Sequence, residues 1–232
     1  KGYTAATPFV DEKICFPNPS GAAYCPQNYD GRFHGVQQMR YSLANSFNIP
    51  AVKMLKLNTV ESMIATASAM GINSFTDPAR YGLSLTLGGG EVTMLEMVQA
   101  YGVFANSGYK INLHPILKVT TTKGEVLNEY KPPISPLLGE KVLPDGVSFI
   151  ISNILSDNGA RSAAFGSNSP LFIKGYPVAV KTGTTNDYRD NWTIGYTPSF
   201  VVATWVGNNN NTPLKGVVSG VTGAAPIWNQ IM

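Results

Sequence analysis

Residues 177–207 read PVAVKTGTTNDYRDNWTIGYTPSFVVATWVG. Apolar, β-branched and aromatic residues gather in three runs, about 177–184, 191–196 and 200–207, and predict three strands. Thr185 to Asp190 joins the first pair, and Thr197-Pro198-Ser199 joins the second. Connections this short make an antiparallel meander, because a parallel crossover needs a dozen or more residues. The first run ends in Lys181-Thr182-Gly183-Thr184. Gly183 lets another backbone approach that face, having no side chain of its own. Lys181 supplies a cation, and Thr182 and Thr184 supply hydroxyls. Together they suit an extended peptide with a terminal carboxylate, added at a sheet edge as a further strand. The same residues also read as a plain amphipathic strand with a glycine before its turn.

The chain before the meander is mostly helical. Residues 1–35 read as loop, punctuated by Pro17, Pro19, Gly21, Pro26, Asn28, Asp30 and Gly31. A helix is expected over 36–46, with Met39, Leu43 and Ser46 near one face. Asn48-Ile49-Pro50 interrupts it, and Pro50 opens a second helix over about 51–57. Asn58 with Glu61 resembles a capping box before Met63, Ile64, Ala67 and Met70. Leu83, Leu85 and Leu87 alternate before Gly88-Gly89-Gly90. Thr93-Met94-Leu95-Glu96 is a capping box opening a helix through Met97, Tyr101 and Phe104. Residues 115–130 suggest a hairpin turning at Lys123-Gly124. Pro144 starts a further helix, with Val147, Ile150, Ile151, Ile154 and Leu155 inside. Residues 160–176 look irregular, and the last residues begin a helix. Helices first and an antiparallel sheet after them make the class α+β.

Composition narrows the function. With 232 residues, 44% of them hydrophobic, the chain can bury a sizeable core. No internal repeat or domain boundary divides residues 1–232. Only 13% of residues are charged and the net charge is +3, without a dense Lys/Arg block, so nucleic-acid binding finds no support. No apolar run approaches the roughly 18 residues of a membrane helix. Cys15 and Cys25 lie too isolated for a zinc site and read either as a local disulfide or as two free thiols. His34 and His114 sit among no carboxylates and read as loop or surface residues. Neither a metal nor a cofactor is expected. The chain opens at Lys1-Gly2-Tyr3 and closes in Pro226-Ile227-Trp228-Asn229-Gln230-Ile231-Met232, as though cut at both ends.

A second feature, Ser46-Phe47-Asn48, lies at the break between two helices. A serine there can pass a proton, and an asparagine can hold an amide with both donor and acceptor. Asn48 before Pro50 is also a fair helix start.

Ser46-Phe47-Asn48 followed by Lys181-Thr182-Gly183 has the order found in penicillin-recognising serine enzymes. The surroundings are more specific: residues 24–35 (YCPQNYDGRFHG), 43–52 (LANSFNIPAV), 85–106 (LTLGGGEVTMLEMVQAYGVFAN), 180–196 (VKTGTTNDYRDNWTIGY) and 219–228 (SGVTGAAPIW). All resemble the transpeptidase domain of class A, bifunctional penicillin-binding proteins, across essentially the whole chain. The resemblance implies a β-lactamase/transpeptidase-like fold, an antiparallel sheet flanked by helices. It implies cross-linking of peptidoglycan stem peptides ending in D-Ala-D-Ala, through a serine acyl-enzyme that β-lactam antibiotics trap. Ser46 would assist proton transfer to the leaving group, and Asn48 would bind the substrate amide. Lys181 and Thr184 would hold the donor or drug carboxylate, and Thr182 and Gly183 would shape the strand. The Thr184 N–H would be part of the oxyanion hole. A glycosyltransferase domain would lie upstream, and the parent would be anchored in the cytoplasmic membrane with this domain facing the wall. Arg161 and Phe165 match family positions without a role that can be derived. Asp187, Arg189 and Asp190 read as turn hydrogen bonds and ion pairs, and Trp192, Trp205 and Trp228 as packing residues.

One departure stands out. The family's nucleophile lies in Ser-x-x-Lys, shortly before the segment matching Lys1-Gly2-Tyr3-Thr4. Ser107-Gly108-Tyr109-Lys110 has that form but follows a helix end, where it cannot set Lys beside Ser. The expectation is a partial domain whose nucleophile and base lie upstream of Lys1 and which is inactive alone. The family's first strands and most of its last helix would also be missing, leaving part of the sheet uncovered. The rivals are a D,D-carboxypeptidase or β-lactamase of the same fold, and a non-catalytic binding module.

Overall fold

β1 (Pro8–Asp11) pairs antiparallel with β2 (Gly35–Gln38), placing Asp11 opposite Gly35. These coordinates, a computed structural model, describe residues 2–17, 21–132, 139–216 and 219–232; Lys1 and Pro19 lie outside them. Both strands correct the reading of residues 1–35 as loop and of 36–38 as helix. Four residues carry too little alternation to be seen alone, and their pairing bridges a long insertion. That insertion is closed by a Cys15–Cys25 disulfide and by paired backbone bonds between Phe16 and Tyr24.

α1 (Met39–Ala44) is shorter than expected, and α2 (Asn48–Asn58) starts earlier. Pro50 is the third helical residue of α2. An N–H at that position has no intrahelical acceptor, so the proline costs the helix little. α3 (Val60–Ala69) is capped by Thr59, whose hydroxyl accepts from Ser62 N–H, and not by Asn58. Leu83–Leu87 form a 3-10 turn in which Leu85 is buried, so the leucine alternation does not make a strand. α4 (Met94–Ala105) opens with the expected capping box of Thr93 and Glu96.

β3 (Tyr109–Lys110) follows, then the expected hairpin of β4 (Lys118–Thr120) and β5 (Val126–Glu129), and β6 (Glu140–Lys141), which returns to β3. α5 (Asp145–Ser156) begins after Pro144. It buries Ser148, Ile154 and Leu155, whereas Val147 and Ile150, expected inside, are exposed. The sheet meets the stripe at 148, 151 and 155, about a quarter-turn away from those two residues. α6 (Ser162–Phe165) is a single turn within the stretch read as irregular.

The meander forms as predicted: β7 (Ala179–Thr184), β8 (Asp190–Tyr196) and β9 (Val201–Gly207), in the order β7-β8-β9. Thr182 lies opposite Thr193, and Trp192 opposite Trp205. α7 (Ala224–Ile231) covers one face, where Leu171, Val178, Val180, Ala225 and the fully buried Trp228 pack together. Gly195 is required there, since a Cβ would run into the Trp228 indole. Leu155, Ala179 and Tyr196 pack on the other face with Tyr101 and Phe104. Tyr196 hydrogen-bonds Ser152 at 2.9 Å, and burial still pushes its phenol up to about 12. Trp205 Nε1 donates to Asp190, and Arg189 pairs with Asp187 at 3.8 Å, as the turn reading anticipated. Among the described residues no helix is long and apolar enough to cross a membrane.

Candidate active site

Among the described residues β7 is an edge strand of its three-stranded sheet, so the Lys181–Thr184 run has one side unpaired by other strands. Side chains alternate along it. Lys181 shares a face with Ala179 and turns toward the α1–α2 junction. Val180, Thr182 and Thr184 turn toward α7. The backbone groups of Val180 and Thr182 face the open edge: Arg161 Nη1 donates to Val180 O at 3.4 Å, and Lys181 Nζ to Thr182 O at 2.7 Å. By the two-residue repeat, Thr184 turns its N–H to the same edge. Gly183 meets only the Trp192 Cβ, at 3.5 Å from where its own Cβ would lie, so its face stays open.

The structure joins the two sequence features directly. Lys181 Nζ donates to Ser46 Oγ at 2.7 Å, across 135 residues of chain. Lys181 is partly exposed as a residue, but its ammonium lies deep, and burial lowers it to about 8. Ser46 reaches it from a left-handed backbone, φ 61°, in the turn between α1 and α2. A non-glycine residue in that region stores about 1–2 kcal/mol, so the turn must be held from outside.

Two side chains and one backbone carbonyl from residues 26–34 hold it. Asn28 Oδ1 accepts the Asn48 N–H at 2.8 Å and so satisfies the first helical donor of α2. Asn48 Nδ2 donates to Gln27 O at 2.7 Å, leaving its Oδ1 as an acceptor. The His34 ring lies flat on Phe47, with centroids 4.0 Å apart and planes 11° apart. His34 Nδ1 is 2.6 Å from Asp11 Oδ2, and Nε2 is 3.1 Å from Asp30. His34 is thus flanked by two carboxylates, which corrects the reading of a histidine among none. His114 stacks on Tyr130 at 3.8 Å, away from the site.

Thr184 Oγ1 accepts from Gly220 N–H at 2.9 Å and keeps its own proton to donate. Gly220 lies so close over Thr182 and the β7–β8 backbone that a Cβ there would sit 3.0 Å from Gly183 O. The cleft therefore brings together Ser46, Asn48, Lys181 and the open edge of β7, while Thr182 and Thr184 stand on the reverse face and reach the cleft only around the edge. Tyr29 and Tyr188 meet edge to face, with centroids 6.3 Å apart, and link the 26–34 loop to the turn after β7.

Sequence reasoning missed Asn45 and Asp11, and the roles of Arg161 and Asn28. Asn45 is buried and donates to Tyr41 O and Ala160 O, while its Oδ1 accepts from Ala164 N–H. The buried Arg161 reaches Val180 O, and burial lowers its guanidinium. An asparagine beside a predicted active serine was the available signal. Ser107 holds no place in the cleft: it is exposed, and Lys110 is paired with Glu140 at 2.7 Å. A hollow of about 560 Å³ beside Lys141, Leu143 and Asp145 includes no cleft residue.

A family model described as the penicillin-binding protein transpeptidase domain matches residues 16–232. The chain belongs to that family. Penicillin-binding protein 1A of Neisseria meningitidis serogroup A is 32% identical over 234 residues, covering 100% of this chain and 29% of the relative. Penicillin-binding protein 1A of Aquifex aeolicus is 32% identical over 233 residues, covering 100% and 30%. The chain thus spans under a third of the curated relatives it matches. Among solved structures, penicillin-binding protein 1A from Haemophilus influenzae matches with a TM-score of 0.79 and 23% identity, over 99% of this chain and 38% of that one. PonA1 from Mycobacterium tuberculosis in complex with penicillin V matches with a TM-score of 0.76 and 20% identity, over 98% and 62%. These likenesses establish the α+β fold of the penicillin-binding transpeptidases.

Proposed function

We propose that this chain is the proton-relay and substrate-strand part of a peptidoglycan D,D-transpeptidase in a class A penicillin-binding protein. The observation that supports it is the 2.7 Å contact from Lys181 Nζ to Ser46 Oγ beside an open strand edge. The nucleophilic serine and its lysine belong to a Ser-x-x-Lys segment upstream of Lys1. That serine gives its hydroxyl proton to the lysine of the same segment as its oxygen attacks the carbonyl between the two terminal D-alanines of a stem peptide. The C–N bond breaks, and D-alanine leaves with a proton added to its nitrogen. Ser46 gives that proton and regains one from Lys181, whose ammonium already points at its oxygen. An amine from a neighbouring stem peptide then displaces the serine and forms the cross-link.

The remaining residues bind. The donor peptide lies antiparallel along β7, and Asn48 Oδ1 accepts a substrate amide N–H. Lys181 and the Thr184 hydroxyl attract the terminal carboxylate. The Thr184 N–H meets the developing oxyanion, a contribution worth roughly 3–4 kcal/mol of barrier. Thr182 and Gly183 keep the strand narrow and open. β-Lactams enter the same way and stall as acyl-enzymes. The partners are the D-Ala-D-Ala stem peptide and an upstream glycosyltransferase domain, and the place is the outer side of the cytoplasmic membrane.

The test is penicillin acylation of the full-length protein and of its Ser46→Ala and Lys181→Ala variants. Each variant is expected to lower the acylation rate at saturation by about a hundredfold or more. Unchanged rates would remove the relay.

A further inference from the structure

Asp11, fully buried on β1, gathers the 26–34 loop onto one oxygen. Its Oδ2 accepts from Asn28 Nδ2 at 2.7 Å and from His34 N–H at 3.0 Å, and it lies 2.6 Å from His34 Nδ1. Asn28, also buried, donates to Arg32 O at 2.8 Å as well. With its donors thus committed, the Asn28 amide is fixed in rotation, and its single carbonyl oxygen points at the Asn48 N–H. Asn48 is two residues from Ser46 and one from Phe47, which the His34 ring covers.

We infer that Asn28, oriented by Asp11, is a positioning residue for Ser46, setting the left-handed turn that brings its hydroxyl to Lys181. This deepens the relay reading and rests on it for its kinetic consequence. Three features make Asn28 more than a generic cap. It is distant in sequence from α2, it belongs to a loop anchored by a buried carboxylate, and its acceptor meets the N–H that follows the strained turn directly. Pre-organisation of this kind matters because a misplacement of about 1 Å at a reacting group can cost a hundredfold in rate.

The experiment takes the full-length protein and separates acylation by penicillin into an affinity and a rate at saturation. Asn28→Ala is expected to lower the rate at least about tenfold while affinity changes little. Repeated in a Ser46→Ala background, the same change is expected to cost less than about threefold, because its effect runs through Ser46. Thr93→Ala, which weakens the fold at the distant α4 cap, serves as control and is expected to leave the rate alone. Asp11→Asn, which keeps an acceptor oxygen, is expected to retain more rate than Asp11→Ala. Equal losses in both serine backgrounds would overturn the inference. A crystal structure of full-length Asn28→Ala decides it without catalysis. Ser46 should leave its left-handed conformation and part from Lys181, and an unchanged 2.7 Å contact would overturn the inference even if the wild type were never acylated.

Discussion

Asn45 holds the turn of residues 157–165, and Arg161 reaches from that same turn to β7. Asn45 precedes Ser46 and bonds Ala160 O and Ala164 N–H; Arg161 reaches Val180 O, the residue before Lys181. Ser46 and Lys181 are therefore spaced by one short piece of chain. Asn45→Ala leaves the buried Ala160 O and the part-buried Ala164 N–H without their side-chain partner and is expected to cost about 1–3 kcal/mol. Chemical denaturation of the full-length protein and of the variant checks the loss. A loss below about 0.5 kcal/mol would show that the turn is held by other means.

Lys181 gives a pH dependence with a defined sign. Its folded value is about 8, against 10.5 for an ordinary lysine. Between those values the unfolded chain carries the extra proton, so stability rises with pH across that window. Lys181→Met removes the titration. The unfolding free energy of wild type minus variant is expected to rise by about 1–3 kcal/mol from pH 8 to pH 10.5, read by urea unfolding at each pH. A flat difference would place the ammonium in a wetter site.

Ser46 separates backbone strain from chemistry. Ser46→Gly suits φ 61° better, and the fold is expected to gain up to about 1 kcal/mol. Acylation should fall about a hundredfold in the same variant, because the relay hydroxyl is gone. Thermal unfolding and acylation kinetics on one preparation make the comparison.

The α4 cap predicts acid sensitivity. Burial opposes ionisation of Glu96, but hydrogen bonds from Ser74, from the Thr93 and Asn73 N–H groups and from the Thr93 hydroxyl hold it at about 2, below its usual 4.5. A carboxylate lowered in this way contributes stability that is complete above 4.5 and lost as pH falls through about 2. Glu96→Gln should flatten that part of the stability curve, and Thr93→Ala should cost about 1 kcal/mol at neutral pH.

The meander and the α4 capping box were legible because local pattern decides them: alternation, short turns and a Thr-x-x-Glu frame need no distant partner. β1 and β2 were not, since a four-residue strand is defined by what it pairs with, and the pairs run from Asp11 with Gly35 to Pro8 with Gln38, 24 to 30 positions apart. The start of α2 was misplaced because Pro50 was weighed as a barrier, whereas its missing N–H falls where the helix has no acceptor for one. Within the site, Ser46 and Lys181 could be named from residue chemistry and their surroundings, but their contact could not. Asn28 read as turn punctuation, and Asn45 and Arg161 had no visible role, because a buried amide or guanidinium acquires its function from groups more than 100 residues away in the case of Asn45. His34 is a mixed case: Asp11 is 23 residues distant and invisible to local reading, whereas Asp30, four residues before it, was within local reach and was overlooked.

The most direct measurement is intact-mass spectrometry after incubation with a penicillin, on residues 1–232 and on the full-length protein. The expected result is a stable, drug-sized gain on the full-length protein alone, with this chain supplying the relay and an upstream serine the nucleophile. A stable gain on residues 1–232, or none on a folded full-length protein, would contradict it.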